Sequence, residues 1–242
     1  MQTVSSIQVP SGRVLDRTDL GIIRRMGEVG LVEHRDEPFT LASGIKSHVY
    51  VKGRQDLTDH PDLVWKVGRK LAEVVYERAG GHVFTQCLIG VPVVGRTFAQ
   101  AASMASVQIR GESPHRLQPL TFRVMREQKK DHGPHKGRWI EGNYDPSCRY
   151  WLVDNVATNG DSKFKAAERA EEDGYPSRQM PCLIWIDRQQ GAVPRLKAAG
   201  FEKVVVVYDL LDITFAYGEM GLWPKSAVAA VEEEIKAHQF TL

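Results

Sequence analysis

Apolar residues along this chain fall into two rhythms. From Asp19 to Glu33 they stand at Leu20, Ile23, Met26 and Val29, the spacing of a helix with one buried face. Residues 39–54, FTLASGIKSHVYVKGR, carry Thr40, His48, Val49, Tyr50 and Val51, which favour strand around a Ser-Gly turn. Pro61 suits a first helical turn. Leu63, Val67, Leu71, Val74 and Val75 then make one face, up to a natural stop at Gly80 and Gly81. Further on, apolar runs at 83–91, 150–156, 182–187 and 203–211 read as strands, separated by helical stretches at 94–103, 162–173, 190–199 and 225–237. Buried strands alternating with helices predict an α/β protein with an open parallel sheet covered on both faces. Ligands of such sheets bind beyond the carboxyl ends of the strands. Residues 1–16, polar with Pro10 and Gly12, are expected to be a flexible N-terminal arm preceding a single domain over 17–242.

Composition narrows the class. Of 242 residues, 42% are hydrophobic and 26% charged, an ordinary globular balance. Thirty-two Lys and Arg against thirty Asp and Glu leave +2, too little for a general nucleic-acid binder. Cys87, Cys148 and Cys182 have no C-x-x-C spacing, so neither a disulfide framework nor a structural zinc site is expected, and they fit a reducing cytoplasm. No apolar run approaches the roughly 20 residues of a membrane helix, and the first residues lack a signal-peptide pattern.

The most informative stretch is RYWLVDNVATNGDSKFKAAERA, residues 149–170. A buried strand ends at Val153. Asp154 and Asn155 follow, then the loop Ala157 to Ser162 and an Ala-rich helix. Small and hydroxyl residues entering a helix offer free backbone N–H groups and the positive end of its dipole, a ready anion site. Thr158 and Ser162 add hydroxyl donors, Gly160 allows close backbone approach, and Asp154 is placed for sugar hydroxyls or a magnesium-bound water. The same residues also suit an ordinary strand–turn–helix in which Asp161 or Ser162 is simply an N-cap.

LVDNVATNGDS resembles the ribose-phosphate loop of the type I phosphoribosyltransferases: apolar residues, two acids, two apolar residues, then Thr-x-Gly-x-Ser/Thr. Three further segments narrow the resemblance to the orotate phosphoribosyltransferases. They are FTLASGIKSHVYVKGR (39–54), MREQKKDHG (125–133) and IDRQQG (186–191), in family order over about residues 19–211. The resemblance implies a small hood from about 17–60 over the sheet, a homodimer with shared sites, and a pyrimidine-nucleotide reaction. Ribosyl 5-phosphate would pass from phosphoribosyl pyrophosphate to orotate, with magnesium held mainly through the pyrophosphate and no dedicated metal ligands. It assigns the phosphoribosyl pyrophosphate to Arg126, Lys129, Lys130, His132, Asp154, Thr158, Asn159, Gly160, Asp161 and Ser162. Orotate falls to Tyr50, Thr158 and Arg188, and catalysis to Asp154, Asn155, Lys130 and His132. A guanidinium fork at Arg188 matches a planar carboxylate.

Residues 122–138 hold six basic and two acidic residues, a field suited to closing over a polyanion, or else a solvated surface loop. His135 has no family counterpart and is expected at the surface. Arg188 could equally pair with Asp187 or the following helix, and Tyr50 could merely pack. The pattern also breaks. Asn155 stands for the second acid. A carboxylate about 6 Å from the cationic transition state, at an effective dielectric of about 20, is worth roughly 3 kcal/mol, on the order of 100-fold in rate. Glu127 stands for a lysine. Val93 and Val94 fill a loop that usually carries polar residues, and Ser47-His48 replaces Ser-Pro. Asp161 sets a negative charge beside the cradle. These departures leave two rivals: a non-catalytic binding or regulatory relative, and a transferase for another nucleobase.

Overall fold

The computed structural model describes residues 5–41, 44, 46–52, 57, 59–79, 84–112 and 118–238. Strands β1 (Ile7–Gln8) and β2 (Val14–Leu15) pair antiparallel ahead of helix α1 (Arg17–Glu28). The expected flexible arm is therefore packed over residues 5–16. Its apolar side chains Ile7, Val9 and Leu15 are buried, Ser11 bonds to Asp212, and Arg13 donates to the Val207 carbonyl at 2.7 Å. Residues 1–4 of that arm lie outside the described residues. Asp16 and Asp19 form a capping box that starts α1. The helix ends before Gly30, whose φ of 67° suits glycine, so the helical reading to Glu33 runs too far.

The hood is an antiparallel pair, β3 (Val32–Thr40) and β4 (Lys46–Val51), with a bulge between His34 and Phe39. Ser43 of the expected turn, like Gly80 and Gly81, lies outside the described residues. Then follow α2 (Pro61–Ala79), β5 (Thr85–Gly90), α3 (Val94–Glu112), β6 (Thr121–Val124), β7 (Cys148–Ala157), α4 (Asp161–Glu172), β8 (Cys182–Asp187), α5 (Ala192–Ala198), β9 (Val204–Asp209), α6 (Leu210–Glu219) and α7 (Lys225–His238). Strands β5 to β9 form one all-parallel sheet in the order β6-β5-β7-β8-β9.

Alternation along the strands divides the core. Leu88, Trp151, Val153, Leu183 and Trp185 face α2, α3 and α6. Cys87, Ile89, Tyr150, Leu152 and Ile184 face the alanines of α4 and Leu196 of α5. Burying both faces is what makes the strands read as continuous apolar runs. The chain goes from β5 through α3 to β6 on one side, then places β7 on the other side of β5. That reversal opens a crevice at the carboxyl ends of β5 and β7. Among the described residues no helix is long and apolar enough to cross a membrane.

Candidate active site

The crevice is built from loops that need small residues. Gly95 begins α3 against β7 so closely that an added Cβ would sit 2.2 Å from the Val153 carbonyl oxygen. Gly90 meets Arg96 backbone in the same way, and Val91 N–H donates to the Val153 carbonyl at 2.9 Å. Arg96, in the first turn of α3, folds its Nε onto the Val93 carbonyl. It brings a cation to the apolar 90–95 loop, one the sequence reading overlooked because it lies just past the segment.

Across the crevice, Gly160 is the N-cap of α4 at φ 88°, and no side chain caps the helix. The N-cap alternative at Asp161 or Ser162 is therefore corrected. In the first turn the Asp161 N–H bonds Asn159 Oδ1 at 3.2 Å and the Lys163 N–H bonds the Gly160 carbonyl at 2.9 Å, which leaves the Ser162 N–H and the helix dipole to meet an anion. Asn159 Nδ2 donates to Asp161 Oδ2 at 2.7 Å, while Arg195 of α5 reaches Asp161 Oδ1 at 3.2 Å. The unusual acid beside the cradle is thus neutralised from α5. Thr158 and Ser162 flank the loop, and Ser162 Oγ donates to Asp154 Oδ2 at 3.1 Å.

Asp154 and Asn155 diverge, because successive strand residues point to opposite faces. Asp154 turns to α4, where the buried Lys163 meets its Oδ2 at 2.7 Å and Asn155 N–H binds its Oδ1 at 2.8 Å. Lys163 also donates to the Val156 carbonyl and to Ser162 Oγ. Asp154 thus does not stand open to sugar hydroxyls. Asn155 points under the hood, where it lines a narrow crevice with Leu31, Val51, Lys52, Phe98 and Trp185. This cavity holds about 10 Å³, room for one water molecule at most.

Arg188 leaves the end of β8 and is 2% exposed. Its guanidinium donates to Ser47 Oγ at 2.8 Å, to the Val49 carbonyl at 3.0 Å and to Gln190 Oε1 at 3.3 Å. It pairs with neither Asp187 nor the following helix. Among the described residues no carboxylate is within ion-pair reach. Burial pushes it down to about 10, against the raising pull of Glu234. Arg188 therefore anchors the hood to the sheet. Tyr50 is not in the crevice: β4 alternation buries Ser47 and Val49 and turns Tyr50 outward, 40% exposed, edge-on to Phe39. The Ser47-His48 departure has a structural use, since His48 N–H donates to Glu234 of α7 at 2.9 Å, a bond proline cannot make.

The basic segment is no free loop. Met125 bridges Ile140, Arg126 N–H bonds the Trp139 carbonyl, and Gly137 N–H bonds the Lys130 carbonyl, giving a hairpin-like arm. Its base docks on the carboxyl end of α4. Lys129 meets Glu172 at 2.7 Å, Trp139 Nε1 meets the same carboxylate at 2.9 Å, and Arg169 donates to the carbonyls of Arg126 and Glu127. Arg126, Lys130, His135 and Arg138 surround a hollow of about 220 Å³, with Arg126 paired to Glu141 at 2.6 Å. His135 is exposed, as expected, and lines that hollow. His132 instead points out beside Asp131, 87% exposed. Asp161 and Glu172 are eleven residues apart on α4, about 16 Å at the helical rise. Arm and cradle of one chain are therefore held at opposite ends of the same helix.

No family model matches the chain. Individual proteins do. Orotate phosphoribosyltransferase of Pyrococcus abyssi is 34% identical over 182 residues, covering 72% of this chain and 86% of that protein. The crystal structure of orotate phosphoribosyltransferase from Aeropyrum pernix aligns over 84% of this chain and 99% of that one, with TM-score 0.58 and 25% identity. Leishmania donovani UMP synthase shares the fold with TM-score 0.70 and 20% identity over 90% of this chain, which spans 42% of that longer chain.

Proposed function

Because the chain belongs to the orotate phosphoribosyltransferase family of glycosyltransferases, we propose that it transfers ribosyl 5-phosphate from phosphoribosyl pyrophosphate to orotate, yielding orotidine 5'-monophosphate and pyrophosphate. The observation that carries the choice of base is Arg188, a buried guanidinium with no carboxylate partner among the described residues, set at the end of β8 against Ser47 and Val49 of the hood. A carboxylated base supplies the anion that such a cation lacks. In this reading the hood lifts to admit orotate, and Arg188 exchanges bonds to Ser47 and Val49 for the incoming carboxylate. Thr158, Gly160 and Ser162 receive the 5-phosphate at the amino end of α4. Magnesium carried on the pyrophosphate would neutralise leaving-group charge, while Asp154, paired with Lys163, holds the first turn of α4 to β7. The arm, docked at the far end of α4 from its own cradle, reaches the pyrophosphate of a second copy in a homodimer.

The test is to mix the protein with magnesium, phosphoribosyl pyrophosphate and orotate and follow the loss of orotate absorbance. Turnover is expected, with Arg188→Ala raising KM for orotate while KM for phosphoribosyl pyrophosphate stays near its original value. A variant with unchanged orotate KM would remove the basis for a carboxylated base. A second reading, a protein that binds phosphoribosyl pyrophosphate without turning it over, draws on the Asp154–Lys163 pair and the neutral Asn155. It predicts a raised Tm with phosphoribosyl pyrophosphate and no loss of orotate absorbance.

A further inference from the structure

Tryptophans of this chain show what an indole N–H requires. Trp151 Nε1 donates to Gln86 Oε1 at 2.9 Å in the buried core, and Trp139 Nε1 donates to Glu172 Oε2 at 2.9 Å. Trp185 differs. It is 1% exposed, and its Nε1 is buried with no acceptor among the described residues. An unmade bond at a buried donor costs about 1–3 kcal/mol, so such a group calls for an explanation. The ring is wedged edge-on between Phe98, with centroids 6.0 Å apart, and Tyr208, 5.0 Å apart. Strand alternation sets it on the hood side of β8, where it lines the same crevice as Asn155, Val51 and Lys52.

We propose that Trp185 is a specificity-determining residue whose indole N–H donates a hydrogen bond to a ring carbonyl oxygen of the bound base. The proposal rests on reading the crevice as the orotate site and deepens it. Orotate carries a carboxylate and two ring carbonyls. The cationic Arg188 suits the first, and a neutral N–H suits a neutral carbonyl. A base presenting an amino group at that edge would set donor against donor and be rejected, because neither N–H could then be satisfied.

The test compares kcat and KM of the wild-type protein and Trp185→Phe for orotate and for its 2-thio and 4-thio analogues, in which weakly accepting sulfur replaces one carbonyl oxygen. The expected result is that the wild type disfavours one thio analogue by about tenfold. Trp185→Phe should raise the orotate KM by about the same factor, leave that analogue's KM unchanged, and so abolish the discrimination. Equal weakening toward all three bases would make Trp185 a packing residue and overturn the proposal, as would unchanged or tighter orotate binding. If the phenyl ring fails to support folding, benzothienylalanine at position 185, which keeps the shape and replaces N–H with sulfur, gives the same readout. A wild type inactive on all three bases would overturn the orotate reading itself, whereas an active wild type without the thio discrimination would overturn only the role of Trp185.

Discussion

Lys163 Nζ lies 2.7 Å from Asp154 Oδ2, and the two side chains are only 1% and 6% exposed. The pair fastens the first turn of α4 to β7 beneath the anion cradle. It also cancels the charge of the acid that the sequence places nearest the reacting sugar. With Asn155 neutral as well, neither residue of the expected acidic pair offers an uncompensated charge.

Lys163→Met leaves a buried carboxylate without its cation, which typically destabilises by about 3–5 kcal/mol. Urea denaturation should show that loss, and Asp154→Asn combined with Lys163→Met should recover much of it. A single variant as stable as the wild type would mean that Asp154 is reached by water once the lysine is gone.

Asn155→Asp puts a carboxylate on the crevice side of β7, away from Lys163, where the lining Lys52 is already paired with Glu33 at 2.7 Å. Its field on the cationic transition state should raise kcat by about one to two decades. Steady-state kinetics would decide. A lower kcat would show that the crevice is organised around the amide, with the indole of Trp185 and the Lys52 chain packed for a neutral neighbour.

Asp187 is buried at the end of β8, and its Oδ1 accepts the Gln189 N–H at 3.1 Å. Burial pushes it up to about 6; the Gln189 bond opposes the shift and the neighbouring Asp209 adds to it. In the folded chain the proton is thus held more tightly than in the unfolded chain, where an aspartate titrates near 3.9. The stabilisation is full below about pH 4 and is lost as pH rises through about 6, roughly 3 kcal/mol in all. Melting curves of the wild type and Asp187→Asn should therefore separate between pH 4 and 7, with the variant relatively more stable at the upper end. Parallel curves would contradict the raised value.

If the arm serves a second copy, two separately inactive proteins should rescue each other. Mixing Arg126→Ala/Lys130→Ala with Thr158→Ala/Ser162→Ala should restore roughly a quarter of wild-type activity, because half of the dimers then hold one intact site. A mixture as inactive as its components would place arm and cradle in the same chain's site.

Much of this architecture was legible because its residues leave little choice. The run at 150–156 ends in a loop whose Gly160 must adopt a positive φ, and four apolar runs with helical spacers specify a covered parallel sheet. The missed elements had weak or mixed signals. β6 is an edge strand that tolerates Arg123 at its centre, so it read as part of the basic loop. α6 follows β9 without a break, and its apolar residues show no single stripe. Lys163 was illegible for another reason: a lysine in a first helical turn ordinarily reaches water, and only the facing Asp154 draws it inward. Trp185 looked like one more apolar strand residue until its ring nitrogen was seen to lack an acceptor.

Helix α4 carries the cradle at Asp161 and the docking site of the arm at Glu172, keyed to the sheet at the near end by Lys163. It therefore acts as a spacer of fixed length and phase. One residue inserted between Ala166 and Arg169 would turn the far end by about 100° and advance it by about 1.5 Å. The cradle would stay intact while the arm was aimed elsewhere. Sequence length within this helix is thus constrained more tightly than the identity of its outward-facing residues, and if the arm serves a second copy, a deletion there would injure that copy's site before its own.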